Sequence, residues 1–203
     1  MTRPSPLRAA LTAFLVAMSV SGTALADPLD QATAAYSQGD YLTALNILRS
    51  LAASGNRSAQ YNLGMMYVQG KGVAPDYAQA AAWYRKAALQ GDADAQRALA
   101  SMYQYGKGVP QSNVEAANWY RKAAEQGDGT AQFNLGVMYS QGEGVTPNVV
   151  EAYRWFALAS TTLPASDSNH DNAVNNRNML VWGMTPEQIA TAQKLAREWK
   201  PAK

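Results

Sequence analysis

Side chains that usually carry out enzymatic chemistry are scarce in this sequence. It has no cysteine, and its single histidine, His170, lies in the polar run Ser-Asp-Ser-Asn-His-Asp at positions 166–171. A thiol nucleophile is therefore missing, and no serine has the flanking glycines of a nucleophile elbow. The polar run predicts an irregular loop, which would give a catalytic triad no rigid support. We interpret His170 as a solvated linker residue and expect neither catalytic residues nor an enzyme.

Metal and phosphate sites are disfavoured on similar grounds. A metal site needs several histidines, cysteines or clustered carboxylates, and only Asp167 and Asp171 lie near His170 in sequence. Gly-Lys-Gly occurs at 70–72 and at 106–108, but neither copy has the earlier glycine or the following hydroxyl of a phosphate-binding loop. Both copies predict turns. We expect no metal and no cofactor.

A pair of carboxylates could hydrolyse a glycan of the cell wall. Asp92 and Asp94 are close enough in sequence to be considered as such a pair. Their position at the predicted start of a helix explains them better, because negative charge at a helix N-terminus is favourable. A cell-wall-directed hydrolase therefore stays the alternative to a binding protein.

The first 26 residues have the order of a cleaved secretory signal. Arg3 and Arg8 precede an uncharged apolar run from Ala9 to Val20, and Ala-Leu-Ala follows at 24–26. The apolar run is too short to span a bilayer, which takes about 20 residues. We expect residues 1–26 to be a signal peptide and the protein to be periplasmic, with a secreted protein as the alternative. No membrane insertion is expected after cleavage.

Charge and cysteine content restrict the possible partners and the source of stability. Residues 1–26 hold two of the 17 basic residues and none of the 15 acidic ones, so the remaining chain is electrically neutral. A neutral chain lacks the basic surface expected of a nucleic-acid-binding protein, and we expect no nucleic-acid partner. An exported protein without cysteine has no disulfides and must be held together by packing.

An internal repeat with a period of 36 residues organises the middle of the chain. Self-similarity at a fixed spacing predicts stacked supersecondary units. The same residue types recur in register in three copies: Ala-Gln at 59, 95 and 131; Leu at 63, 99 and 135; Met-Tyr at 66, 102 and 138; Gly-x-Gly-Val at 70, 106 and 142; Ala at 80, 116 and 152; Trp at 83, 119 and 155.

Each copy predicts two helices. Ala59, Leu63 and Met66 share one helical face, so a first helix is expected over about 58–69, ended by a glycine loop. The second helix has a capping-box pattern at its start, with Asp, Ser or Asn at 76, 112 and 148 and Gln or Glu three positions later. Its buried face alternates small alanines with the tryptophan.

These motifs resemble the Sel1-like repeat family, over roughly residues 56–160. The resemblance rests on Ala-Gln-x-x-Leu-Gly-x-Met-Tyr-x-x-Gly-x-Gly-Val followed by Ala-x-x-Trp-Tyr-Arg-Lys-Ala-Ala-x-x-Gly-Asp. The family is related to tetratricopeptide repeats. The resemblance implies an all-α fold, a right-handed superhelical solenoid of antiparallel helix pairs with about ten helices after the leader. It also implies a protein–protein adaptor.

The repeat register divides the chain into six segments. They are the signal peptide 1–26, a tetratricopeptide-like helix pair 27–55, Sel1-like repeats 56–92, 93–128 and 129–163, and a linker with C-terminal capping helices over 164–203. The capping helices are expected near 171–182 and 185–199. Thr185, Pro186 and Gln188 give the last of them a strong start signal.

Positions that differ between the copies are the candidate binding residues, because identical positions are explained by the fold. By resemblance to tetratricopeptide repeats, the varied face of each first helix lines a concave groove for a protein or peptide partner in the cell envelope or outside the cell. The alternative is that these side chains pack on neighbouring helices. We expect a monomer whose partner-binding residues are Tyr61, Met65, Val68, Arg97, Ser101, Tyr105, Phe133 and Val137.

Some exported Sel1-like proteins that this chain resembles are linked to the cell wall or to β-lactams. Those proteins are rich in cysteine, whereas this chain has none. The difference weakens the transfer, and a peptidoglycan-binding or β-lactam-binding protein is retained as an alternative beside the hydrolase.

Overall fold

The computed structural model describes residues 27–202, and these residues form ten α-helices and no strand. The predicted all-α fold with ten helices is confirmed over this range. The predicted signal peptide, residues 1–26, lies outside the described residues. The helices are α1 Pro28–Ser37, α2 Tyr41–Ala53, α3 Arg57–Gln69, α4 Tyr77–Leu89, α5 Ala93–Tyr105, α6 Asn113–Glu125, α7 Gly129–Gln141, α8 Val149–Thr162, α9 Ser168–Val181 and α10 Pro186–Glu198.

The helices stack in chain order. Each helix from α1 to α8 packs on the next one, which gives four helix pairs, and α9 packs mainly on α8. The last helix, α10, also packs on α8. Apolar side chains of α4 to α8 form one central core cluster, and a second cluster joins α1, α2 and α3. A solenoid of this kind buries its apolar surface between neighbouring units.

The helices begin at the predicted N-cap residues, whose side chains cap the backbone. Asp76, Ser112 and Asn148 each accept a hydrogen bond from the backbone N–H three residues later, at 2.9, 3.2 and 3.1 Å. The return bond of a capping box, from the third side chain to the cap, is recorded only at α10 among the described helices, between Thr185 and Gln188. The capping-box prediction is therefore correct for the cap and wrong for the return bond in the three repeats.

The glycine loops both end the first helices and seat them on the preceding unit. Gly70, Gly106 and Gly142 end α3, α5 and α7 in the left-handed conformation that glycine adopts without strain. The second glycine of each loop touches the backbone at the start of the preceding second helix. A Cβ on Gly72 would lie 2.6 Å from the carbonyl oxygen of Tyr41.

The core alternates alanine with large side chains, as the sequence predicts. The repeated alanines at 80, 116 and 152 are completely buried. Trp119 and Trp155 are buried, while Trp83 near the start of the array is half-buried. Close helix packing needs the small residues, and Trp119 and Trp155 add large apolar side chains to the central core cluster.

A hydrogen-bonded pair of glutamines, of which the one on the first helix is buried, links the two helices within each of the first two repeats. Gln60 donates to the carbonyl of Ala52 at 3.1 Å and accepts from Gln90 at 2.7 Å. Gln96 donates to the carbonyl of Ala88 and accepts from Gln126 in the same way, at 3.1 and 2.7 Å. These bonds satisfy polar groups that would be costly to bury alone.

The glutamine pair is incomplete in the third repeat. Gln132 donates to the carbonyl of Ala124 at 3.2 Å, but position 162 holds threonine where Gln90 and Gln126 stand in the earlier repeats. The Oε1 atom of Gln132 consequently has no hydrogen-bond partner among the described residues.

The C-terminal helices differ from the sequence prediction at their ends. The helix expected near 171–182 begins earlier, at Ser168, because Asp167 caps it by accepting from the N–H of Asn169 at 2.8 Å. His170 therefore lies in the first turn of α9 and not in an irregular loop, with its Nδ1 3.0 Å from Asp171. The last helix ends one residue before Trp199.

Candidate functional site

An open groove crosses the first helices of the three repeats. Its walls come from α3, α5 and α7, and side chains of α4 and α6 reach into it between them. We call it the central groove; it encloses about 350 Å³. Its lining includes Val68, Tyr84, Arg97, Ser101, Tyr105 and Tyr120, together with the basic side chain of Lys107.

Four of the eight predicted binding residues line the central groove. They are Val68 at the end of α3 and Arg97, Ser101 and Tyr105 along α5. The Tyr105 side chain is 64% exposed, so it is available to a partner. Their places follow from the helical spacing of four and eight residues along α5, which puts all three on one face.

Arg97 is held in a fixed position at the edge of the groove. Its Nε donates to Asp128 at 2.8 Å and its Nη2 donates to Asp94 at 2.7 Å. Partial burial alone would lower the pKa of Arg97, but the hydrogen bonds to both carboxylates and their negative charges outweigh it and raise that pKa above its ordinary value. Nη1 keeps its donors unused among the described residues, and these can meet an acceptor on a ligand.

Asp128 also couples two repeats. Its Oδ1 accepts from the N–H of Ala131 at 2.7 Å and caps α7, while its Oδ2 binds Arg97 of the preceding repeat. The groove residue Arg97 is therefore tied to the start of the next unit. A displacement of Arg97 would therefore also disturb the N-cap of α7.

The aromatic side of the groove comes from two second helices. Tyr84 and Tyr120 are almost fully buried, and only their edges face the groove. Burial raises the pKa of both phenols above the ordinary value, so they stay neutral donors at physiological pH. The hydroxyl of Tyr120 donates to Gln104 at 3.0 Å.

These two tyrosines were not among the predicted binding residues. Each directly follows a repeated tryptophan, and the third copy has Phe156 instead. The repeat pattern does not mark these tyrosines as groove residues, because the phenylalanine in the third copy shows that packing alone explains an aromatic side chain at this position. Which side of the second helix faces the groove is decided by the stacking of the pairs.

Two predicted residues lie at the N-terminal end of the array. The ring of Tyr61 packs on that of Tyr84, with 5.6 Å between centroids, and burial raises the pKa of its phenol. Met65 lines a separate small apolar cavity of about 170 Å³ formed with α1 and α2. Neither side chain lines the central groove.

Two predicted residues lie under the C-terminal helices. Phe133 and Val137 pack against a buried cluster formed by α8 and α9, and the rings of Phe133 and Phe156 are 5.8 Å apart. Val137 also borders a shallow cavity beside Met179 and Leu180. α9 thus covers the surface that, by repeat register, continues the groove.

The carboxylates considered for hydrolysis have structural partners. Asp92 caps α5 by accepting from the N–H of Ala95 at 2.9 Å and lies 3.7 Å from Arg57. Asp94 binds Arg97 at 2.7 Å. Within residues 27–202, histidines and carboxylates form no group of three that could hold a metal ion, and no helix has the length and apolar character to cross a membrane.

The fold and groove define a helical-repeat protein, and comparison identifies the repeat. The Sel1 repeat family model matches residues 57–92, 93–128 and 129–161. A solved Sel1 repeat protein from Oxalobacter formigenes shares 30% identity with a TM-score of 0.65, covering 83% of this chain and 74% of that protein. No curated protein matches the chain.

A second solved structure is the protective antigen c5321 of uropathogenic Escherichia coli, which displays an SLR fold. It shares 31% sequence identity with this chain, and the TM-score is 0.48. The match covers 85% of this chain and 44% of the antigen. From the family match over three repeats and the first of these structures, this chain belongs to the Sel1 repeat family. Sel1 repeats generally mediate protein–protein interactions.

Proposed function

We propose that the protein is a non-catalytic adaptor or regulator that binds a partner protein in the central groove. The observation that carries this proposal is the groove itself, where a fixed arginine stands among tyrosines in an open channel between repeats. Arginine and tyrosine are the residue types that most often dominate binding energy at protein interfaces. A partner segment would pack an apolar side chain against Val68 and Tyr105 and place an acceptor on Arg97.

The proposed place of action is the periplasm. Its support is the order of residues in the first 26 positions, which is that of an export signal, with secretion from the cell as the alternative. The partner would then be a protein of the cell envelope or a protein outside the cell.

The groove is tested by capturing partners from an envelope extract with the processed chain and three variants. Tyr105→Ala removes an exposed anchor and Ser101→Arg fills the groove. Trp182→Ala is the matched control because Trp182 is 93% exposed and lies outside the groove. We expect Tyr105→Ala to weaken capture of a specific partner about tenfold, the loss of one interface anchor. Ser101→Arg should abolish capture, and Trp182→Ala should leave it unchanged.

Two results would contradict the adaptor. One is a partner retained equally by wild type, Tyr105→Ala and Ser101→Arg. The other is turnover of a cell-wall substrate by the purified chain that is lost in Asp94→Asn, since that result would assign the protein to the hydrolases.

A further inference from the structure

The chain beyond α10 folds back on the turn between α6 and α7. The N–H of Ala202 donates to the carbonyl of Glu125, the last residue of α6, at 2.7 Å. Trp199 packs on the central core cluster. A Cβ on Gly127 would lie 3.7 Å from the Trp199 ring and 3.9 Å from the Cβ of Pro201. An extended segment with an aromatic residue two positions before a proline thus occupies this turn.

The same turn occurs one repeat earlier and is open. Leu89, Gln90 and Gly91 correspond to Glu125, Gln126 and Gly127, and the two glycines have φ values of 86° and 96°. A Cβ on Gly91 would meet nothing within 4 Å. The carbonyl of Leu89, equivalent to the one that Ala202 binds, accepts no hydrogen bond from residues 27–202.

A cleft joins the open turn to the occupied one. It encloses about 410 Å³ between the turn at Gly91 and the turn at Gln126, and Ala202 of the tail forms part of its wall. Leu89, which precedes the cleft residue Gln90 in the chain, is 70% exposed and offers apolar surface where the next repeat has Glu125. The cleft shares no residue with the central groove.

We infer that this open turn is a second docking site, for an extended partner segment with an aromatic residue two positions before a proline. The ring would lie over Gly91, which has no side chain, and against Leu89. The proline holds its part of the segment extended, and a following N–H donates to the Leu89 carbonyl. The tail of this chain makes these contacts at Gly127. The inference is independent of the adaptor role of the central groove.

The test is a titration of the full chain with a capped peptide of the tail sequence Arg-Glu-Trp-Lys-Pro-Ala. Binding is monitored through the NMR chemical shifts of the backbone amides of the chain. We expect saturable shifts of the Gln90, Gly91 and Gln96 amides and little change at Gly127, where the tail already binds. In the Trp199→Ala chain, the Gly127 amide should shift as well. A peptide with alanine in place of tryptophan should not bind.

A matched pair of variants separates the effect of filling the open turn with a side chain from the effect of replacing a glycine that has positive φ. Gly91→Asn fills the open turn with the side chain that best tolerates positive φ and should weaken binding at least about tenfold. Gly39→Asn is the control, since Gly39 has φ 84°, equally free space, and no place in the cleft. It should bind the peptide as wild type does.

Several outcomes would overturn the inference. They are the absence of saturable shifts at Gly91, equal weakening by Gly39→Asn, and shifts confined to the central groove. Sedimentation of the chain alone is the second measurement. A dimer that dissociates in Trp199→Ala would assign the open turn to a second copy of this chain, and not to another partner.

Discussion

At the scale of single residues, a buried polar side chain in the repeat needs hydrogen-bond partners, and these partners restrict which residues can stand around it. Gln60, Gln96 and Gln132 are buried at the start of their first helices, and each needs a donor and an acceptor. The first two obtain a donor from Gln90 and Gln126, while Gln132 lacks one within the described part of the chain. A buried oxygen without a partner lowers stability by about 1–3 kcal/mol.

The missing donor gives a prediction. Thr162→Gln should pair with Gln132 as Gln126 pairs with Gln96, and it should raise the free energy of unfolding by about 1 kcal/mol. Urea unfolding followed by circular dichroism measures this. Thr162→Met is the control, because methionine has a length and helix propensity close to those of glutamine but no hydrogen-bond donor. Equal effects of the two substitutions would show that no bond to Gln132 forms.

At the scale of elements, the Gly-x-Gly loops determine how one pair sits on the previous one. The first glycine ends a helix in the left-handed conformation, and Gly70 and Gly142 also pack closely against a proline later in the same loop. The second glycine, at 72, 108 and 144, has positive φ and also rests on the backbone at the start of the preceding second helix. A side chain there would push two repeats apart.

Because of the contact at the second glycine, alanine should destabilise the protein more at Gly108 than at Gly91. Gly108→Ala combines positive φ with overlap of the Tyr77 backbone. Gly91→Ala has positive φ and free space, so it isolates the cost of the backbone conformation. We expect Gly108→Ala to be more destabilising by about 1–3 kcal/mol, the usual cost of overpacking. Thermal unfolding of both variants checks the difference, and similar melting temperatures would be inconsistent with the contact.

At the scale of the whole molecule, the array has no disulfides and each unit contacts its neighbours in chain order. Stability is then approximately the sum of the units and of the interfaces between them. The central core cluster extends through the repeats from α4 to α8, and Trp119 on α6 lies within it. Its 8% exposure means that nearly all of its surface is buried.

Removal of this central side chain should therefore affect the whole array. Trp119→Ala is expected to lower the free energy of unfolding by about 3–5 kcal/mol and to split the transition, because the flanking units lose their common interface. Trp182→Ala, which removes an almost fully exposed ring, should change it by less than about 0.5 kcal/mol. A single transition shifted equally in both variants would argue against Trp119 as the link between units.

The sequence by itself determined the ten helices, their caps and the stacked repeats. These features depend on local rules, such as an N-cap at Asp76 or a glycine after α3, and on a period that needs no three-dimensional information. The sequence also indicated part of the groove, since Arg97, Ser101 and Tyr105 share one face of α5 by helical geometry. Their role in binding a partner stays a prediction.

The tertiary structure alone decided which varied positions are accessible. Phe133 and Val137 occupy the same register as residues of the groove, yet α9 packs over them, and helical periodicity carries no information on where a later helix packs. The entry of Tyr84 and Tyr120 into the groove and the return of Trp199 to the turn at Gly127 also depend on contacts between residues distant in sequence. Local propensity cannot specify such contacts, because they form only once the helix pairs have stacked.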